Sequence, residues 1–436
     1  MRNDYFSWGR YPKVSHKDII KFFWLSDIPN LESLEYPILP YGFGKSYGDS
    51  CLNDNGTLLD CSGLNRFIAF DNETGLLKCE AGVMLASILD FFVPRGWFLP
   101  VTPGTKFISV AGAVANDVHG KNHHIAGTFG CHITKFELLR SNGDRLICSE
   151  NENQDLFRAT IGGLGLTGLI TWVEFKLKPC PSPFFIMDSI KFYNIDEFFE
   201  INDESEKDFE YTVSWVDCTS AGSKIGRGIF NRGNHAHPDE HKLPKLPKFR
   251  TREFPFDAPF INSLTVEIFN KLYFNKQLQN KETKLIHYDP FFYPLDAILN
   301  WNKAYGKNGF LQYQFVIPMR NEKEVIKEII KYISKSGLSS FLTVLKKFGN
   351  IKSPGMLSFP REGITMAVDF RFDGFKTLKS LEELDEIVKT AGGIIYPAKD
   401  ARMKGEDFRN FYPQYKEFMK FIDPKFSSSF WRRVMS

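Results

Sequence analysis

The sequence predicts an α+β protein of two domains, the second built on an antiparallel sheet with helices on one face. Three observations carry that expectation. At 436 residues the chain exceeds the size at which one hydrophobic core keeps growing, which favours two domains. From residue 41 to about 179 the text is dense in glycines, short apolar runs and turn signals, as in sheet with a few short helices. After Gly309, strand-like and helix-like stretches alternate.

Taken in chain order, residues 135–140 and 145–148 flank Asn142-Gly143-Asp144 and read as a hairpin. Residues 211–217 form a further strand. Between about 220 and 260 the character changes to Lys, Arg, His and Pro, and the prolines of 242–248 block regular structure, so a long mobile basic insertion is expected. A strand follows at 310–318. The next helix starts at Asn321, an N-cap with Glu324 three residues later, and Val325, Ile326, Ile329, Ile330 and Ile333 form its apolar face. Strands at 339–345 and 364–372 precede a helix that buries Leu378, Leu381, Leu384, Ile387, Val388 and Ala391 and stops at Gly392-Gly393. A last strand occupies 393–397.

Composition excludes several classes. Fifty-five basic against 52 acidic side chains leave a formal charge of +3, far from the strongly basic balance of nucleic-acid binders. The seven cysteines are scattered, odd in number and without a C-x-x-C pair, which argues against a disulfide framework and a zinc site and fits a reducing compartment. The opening residues Met1-Arg2-Asn3-Asp4 start no apolar signal segment, and no run of about 18 apolar residues occurs, so any membrane contact is peripheral. The 43 Phe residues supply apolar surface for cores or for a greasy ligand.

Gly163-Leu164-Gly165-Leu166-Thr167-Gly168 has the G-x-G-x-x-G spelling of a Rossmann turn, which needs a helix directly after it. The next ten residues instead alternate Val173, Phe175 and Leu177 against Glu174, Lys176 and Lys178, the pattern of a strand, so a glycine turn abutting another ligand fits better. The loop Gly42-Phe43-Gly44-Lys45-Ser46-Tyr47-Gly48-Asp49 lets several backbone N–H groups face one anion, such as a pyrophosphate. A second loop, Pro103-Gly104-Thr105, runs into small residues around Gly112 and Ala113 and then Asp117, His119, Gly120, Lys121, Asn122, His123 and His124. Small residues let backbone approach a flat ring. The histidines lack an acidic partner, and His123 and His124 would point apart in a strand, so no metal is expected.

Together, these loops, the 162–168 turn, Tyr211–Trp215, Gln312 and Gln314, Val344–Gly349, Val368-Asp369-Phe370 and Tyr396–Arg402 resemble the vanillyl-alcohol-oxidase superfamily of FAD enzymes over roughly the whole chain. Within it, the likeness is strongest to oxidases of polyprenyl-phosphate-linked ribose, the flavoprotein half of an epimerase. The resemblance implies an FAD-binding domain at 1–180, a substrate domain at 181–392 and a C-terminal return at 393–436. It implies FAD contacts from Gly42, Gly44, Lys45, Ser46, Tyr47, Gly48, Asp49, Pro103, Gly104, Thr105, Gly112, Ala113, Asp117, His119, Gly120, Gly165, Gly168 and Tyr396. Lys399, Tyr47 and His119 become the catalytic candidates, with Gln312, Gln314, Lys346 and Trp215 around the sugar. Lys45 stands where many members carry a flavin-linking histidine, and Phe107 where others carry a cysteine, so FAD is expected to be non-covalent. Ala367 replaces the cysteine that nitroaromatic inhibitors alkylate in the closest branch.

The expected activity is oxidation of a secondary sugar hydroxyl on a polyprenyl-phosphate pentose, in cell-wall or polysaccharide synthesis, with an NAD(P)H-dependent short-chain reductase as partner. The alternatives are an oxygen-using aldonolactone or alditol oxidase and a binding module that no longer turns over. The expected location is cytoplasmic or peripheral at the inner face of the membrane, with the periplasm left open. The flank Phe254–Phe260 of the basic insertion is the candidate membrane contact, where positive charge and aromatics coincide.

Overall fold

Phe310–Ile317 is buried at every position, which a strand achieves only in the interior of a sheet covered on both faces. The computed structural model describes residues 5–247 and 251–436. Residues 1–4, at the opening read above for a signal segment, and 248–250, in the basic stretch, lie outside the described residues.

The largest sheet has eight strands in the order Lys281–His287, Phe184–Phe192, Gly228–His235, Tyr211–Val216, Thr343–Phe348, Gly363–Arg371, Phe310–Ile317 and Ile394–Ile395, all antiparallel. Helices Ile195–Ser205, Glu322–Ser336 and Phe375–Thr390 cover one face. Ile326, Ile329, Ile330 and Ile333 of the second, and Leu381, Leu384 and Val388 of the third, meet Tyr313, Phe315 and Phe370 in one core. The opposite face is left for the cavity described below.

A second core lies around a five-stranded antiparallel sheet, Phe67–Asp71, Leu76–Glu80, Leu169–Lys176, Ile133–Leu139 and Arg145–Ser149. The expected hairpin is its edge, with Gly143 at φ 89° in the turn. Asp18–Lys21, Thr57–Asp60 and Ile38–Tyr41 make a small parallel sheet. The late segment returns here, since Phe426 bridges to Ile38 and Arg433 reaches Asp49.

Several expectations need correction. Gly228–His235 is an inner sheet strand inside the stretch read as a mobile insertion. Its polar residues are held by neighbouring strands and turns, as Arg232 by Asp188 and Asn234 by Asp208 O. Asn321 sits at the start of its helix with φ −140° and ψ 27° and makes no side-chain cap bond, so no capping box forms. The 339–345 strand instead spans Thr343–Phe348, because Ser340 Oγ donates to Leu342 O and accepts from Leu342 N, which keeps 340–342 in a turn. The last strand shortens to Ile394–Ile395, since Gly393 N closes the preceding helix on Val388 O and Pro397 opens a 3-10 turn. The strand expected after the glycine turn is present, for Leu169–Lys176 succeeds it directly and no helix intervenes.

Candidate active site

The ladder places Gln312 opposite Asp369, Gln314 opposite Ala367, Ala367 opposite Val344, and Lys346 opposite Thr365. Alternate side chains of a strand share a face, so Gln312, Gln314, Val344, Lys346, Thr365 and Ala367 line one wall of a cavity of about 1100 Å³, with Trp215 farther along. The facing wall is built from the glycine loops: Gly42, Gly44, Lys45, Ser46, Tyr47, Pro103, Gly104, Thr105, Gly112, His119, Gly120, Gly165, Gly168 and Tyr396 all line it. Lys399, carried by the 3-10 turn Pro397–Lys399, completes it.

Four residues assigned to the cofactor do not line this cavity. Gly48 is where the first loop crosses the Asp400 main chain, and a Cβ there would collide with Asp400 O. Asp49 is buried against Arg433, at 2.7 and 2.9 Å. Ala113 is in the second core. Asp117, fully buried with φ 42°, accepts from Gly130 N, Ser353 Oγ and Ser358 Oγ and so closes its own turn. The Ala398–Arg402 motif divides likewise. Lys399 faces the cavity, whereas Asp400 accepts from Arg433 and from the main-chain N–H of Arg402 and Met403, and Arg402 clasps Asp385 behind the sheet.

Burial decides the electrostatics. Lys346 lies within its strand rather than at a strand end, 6% exposed, and donates to Thr212 Oγ1 at 3.0 Å; burial pulls its pKa down to about 7. The next residue, Lys347, points to the other face and pairs with Glu206. Lys121 also lines the cavity, donates to Phe291 O, and is likewise lowered by burial to about 7. Lys399 Nζ stands 5.3 Å from the centre of the Tyr47 ring; burial lowers its pKa and Asp369 opposes that shift. Asp369, fully buried and accepting from Gln312 Nε2, is raised by burial.

Burial, then Lys399, holds His119 well below its ordinary pKa, so the ring is neutral. Gln314 Nε2 donates to His119 Nε2 at 3.0 Å and to Thr365 Oγ1 at 3.1 Å, which puts the His119 proton on Nδ1. His123 and His124 open a short helix, His123–Ala126, not a strand; the His123 ring lies tilted against Phe348, centres 4.4 Å apart, and His124 bonds Phe209 O. Among the described residues no group of three His, Cys, Asp or Glu side chains is arranged to hold a metal.

The residues fit an FAD-sized guest. A Cβ at Gly104 would meet nothing within 4 Å, so the second loop offers bare main chain to the cavity. His119 Nδ1 and Gln314 Oε1 are buried without a hydrogen-bond partner, which in a folded protein points to a ligand. Lys45 of the first loop has its Nζ 3.5 Å from the centre of the Trp8 ring, and Trp8 N donates to Ser46 O of that loop. Thr365 is a cavity residue absent from the sequence reading, and Lys121, Thr212 and Asp369 lie in its motifs without an assigned role. A signal was present for Asp369, a carboxylate inside the otherwise apolar and neutral run 364–370.

Residues 31–149 match the FAD binding domain family. The chain is 37% identical to decaprenylphosphoryl-β-D-ribose oxidase of Mycolicibacterium smegmatis, over 91% of this chain and 89% of that one. It is 22% identical to an L-gulono-1,4-lactone dehydrogenase of Mycobacterium tuberculosis over 90% and 89% of the two chains. A putative D-arabinono-1,4-lactone oxidase of Neurospora crassa shares 37% identity over 28% of this chain and 22% of its own. Full-length likeness at that level, with an FAD-binding match and a cavity lined by the glycine loops, assigns the chain to the decaprenylphosphoryl-β-D-ribose oxidase family, FAD-dependent oxidases of the vanillyl-alcohol-oxidase type that act on CH–OH groups.

Proposed function

We propose that the chain oxidises a secondary hydroxyl of a pentose linked through phosphate to a polyprenyl lipid. The keto sugar would be the first half of an epimerisation, completed by an NAD(P)H-dependent short-chain reductase. The observation that carries this reading is the pair Lys121, half-buried, and Lys346, buried, two lysines in one cavity without an ion-pair partner among the described residues. Burying such charges is unfavourable unless an anion meets them, and a phosphodiester is the anion such a substrate brings.

Bound FAD supplies the two-electron acceptor for the alcohol. Lys399 stabilises the developing alkoxide as an ammonium, or takes the hydroxyl proton as an amine. Tyr47, kept neutral by burial, donates a hydrogen bond beside it. His119, with Nε2 occupied by Gln314, serves as an Nδ1–H donor that orients a ligand and is no base at that nitrogen. Gln312, held by Asp369, and Trp215, anchored by its indole N–H on Phe341 O, fix the sugar's remaining contacts. Cofactor attachment is non-covalent, in keeping with Lys45 and Phe107 at the positions of linking residues. Residues 1–180 and 393–436 make the FAD-binding unit and 181–392 the substrate unit, supported by the Arg433–Asp49 pair and the Ile38–Phe426 bridge.

The lactone-oxidising relatives favour a second reading, oxygen-dependent oxidation of a free aldonolactone or alditol. An anaerobic titration followed at the flavin absorbance separates the two. A polyprenyl-phosphoryl pentose bleaches the flavin on the first reading; bleaching by free lactones and not by the lipid-linked sugar overturns it. Among the described residues no helix is long and apolar enough to cross a membrane. The proposed location is the cytoplasm with peripheral membrane contact.

A further inference from the structure

A surface helix ordinarily turns its apolar stripe inward and shows polar residues to solvent. Helix Ser263–Lys276, which no single periodicity in the sequence announces, has two apolar stripes. Val266, Asn270 and Phe274 face inward, Phe274 against Trp215 and Ile229, and Asn270 donates to Asp217 Oδ1 at 2.9 Å. Leu264, Ile268 and Leu272, also four apart, face outward and are 67%, 51% and 67% exposed.

That ridge continues into neighbouring segments. Thr265 Oγ1 donates to Phe260 O, and the exposed Phe260 ring touches Phe254 and Phe256; Phe254 N in turn donates to Leu299 O. Tyr273, Ile298 and Leu299 both line the cavity and are exposed, so the cavity opens within this apolar surface. Lys271 and Lys276 on the helix, Arg252, paired with Ile298 in a short ladder, and Lys303 place four cations around it against the carboxylates of Glu253 and Glu267.

We propose that this face docks the enzyme on an anionic lipid bilayer, so that an amphiphilic substrate enters the cavity directly from the leaflet. The lipid nature of the substrate rests on the function proposed above; the docking does not. A bilayer suits the surface better than a protein, because a rigid partner seated on Tyr273, Ile298 and Leu299 would seal the mouth, whereas a fluid surface leaves it open. Cations flanking an apolar ridge are the arrangement by which interfacial helices hold anionic leaflets.

The test uses the flavin-loaded protein and vesicles of phosphatidylcholine with and without phosphatidylglycerol, measured by co-sedimentation. The triple substitution Leu264→Gln, Ile268→Gln and Leu272→Gln changes outward positions only and keeps good helix formers. Wild type should partition to the anionic vesicles, less to neutral ones, and the variant should lose at least about tenfold in partitioning with flavin content and melting unchanged. Equal partitioning of the two proteins, no partitioning of wild type, or a wild-type dimer that the variant dissolves would each overturn the proposal, the last by making the face a contact between copies. No sugar enters this assay, so its failure leaves the substrate assignment standing and the anaerobic titration can fail without it.

Discussion

Replacing Lys346 by Met should weaken substrate binding and strengthen the fold at once. The side chain is 6% exposed and burial moves its pKa from 10.5 to about 7, a shift of 10.5 − 7 = 3.5. At about 1.36 kcal/mol per unit, holding that ammonium in the fold costs up to about 4 kcal/mol at neutral pH. Loss of the bond to Thr212 and imperfect methionine packing offset part of the gain, leaving about 2 kcal/mol of stabilisation, or roughly 2 °C in Tm for a chain of this length. Between pH 7 and 10 the unfolded chain keeps a proton that the folded chain releases, so wild-type stability without substrate rises with pH in that window. Lys121, Lys45 and Lys399 contribute in the same direction, and Lys346→Met should remove about a quarter to a third of the slope. Removing the buried cation that meets an anionic substrate should raise KM by about 10–100-fold, with a smaller effect on kcat. Calorimetry across pH and steady-state kinetics with a phosphate-linked sugar check both halves. A destabilised variant with unchanged KM would refute the reasoning and make Lys346 a structural residue.

Lys399→Met should retain FAD and melt normally but lose about 10²–10³ in turnover, read by stopped-flow flavin reduction; near wild-type reduction would remove Lys399 from the chemistry. Asp369→Asn should move the limb of the kcat–pH profile that Lys399 controls to lower pH, the alkaline limb where the ammonium acts and the acidic limb where the amine acts, because Asp369 raises the Lys399 pKa and its loss lets the ammonium deprotonate earlier. Acid precipitation should release all flavin to the supernatant, and colour remaining with the pellet would contradict non-covalent attachment. Asp49→Asn should cost about 2 kcal/mol in chemical denaturation, because it strips one carboxylate from Arg433 while Asp400 remains.

The sequence shows its large elements where one periodicity dominates. Phe310–Ile317 is a continuous apolar run broken by two glutamines, and Glu322–Ser336 has a single apolar stripe, so both are legible. Gly228–His235 has only Ile229 and Phe230 as large apolar residues, and its polar remainder is satisfied by partners far off in the chain, which no local pattern records. Helix Ser263–Lys276 is hidden for the opposite reason, since two apolar stripes leave its inner face undecided. In the site, the glycine loops and the lysine after Tyr396-Pro397-Ala398 are visible as motifs. A carboxylate in such a loop reads the same whether it meets a cofactor or closes the fold, and Asp49 is decided only by Arg433 at the other end of the sequence.

That pairing has a consequence for biosynthesis. Asp49 and Arg433 are separated by 384 residues, and at about 5–20 residues per second the loop bearing Ser46 and Tyr47 waits roughly 20–80 s on the ribosome for the arginine that fastens its base. Firm cofactor capture should therefore wait until residue 433 has been made. Chains stalled before residue 433 should bind flavin weakly, and scarcity of flavin during expression should be repairable afterwards by adding it to the finished polypeptide.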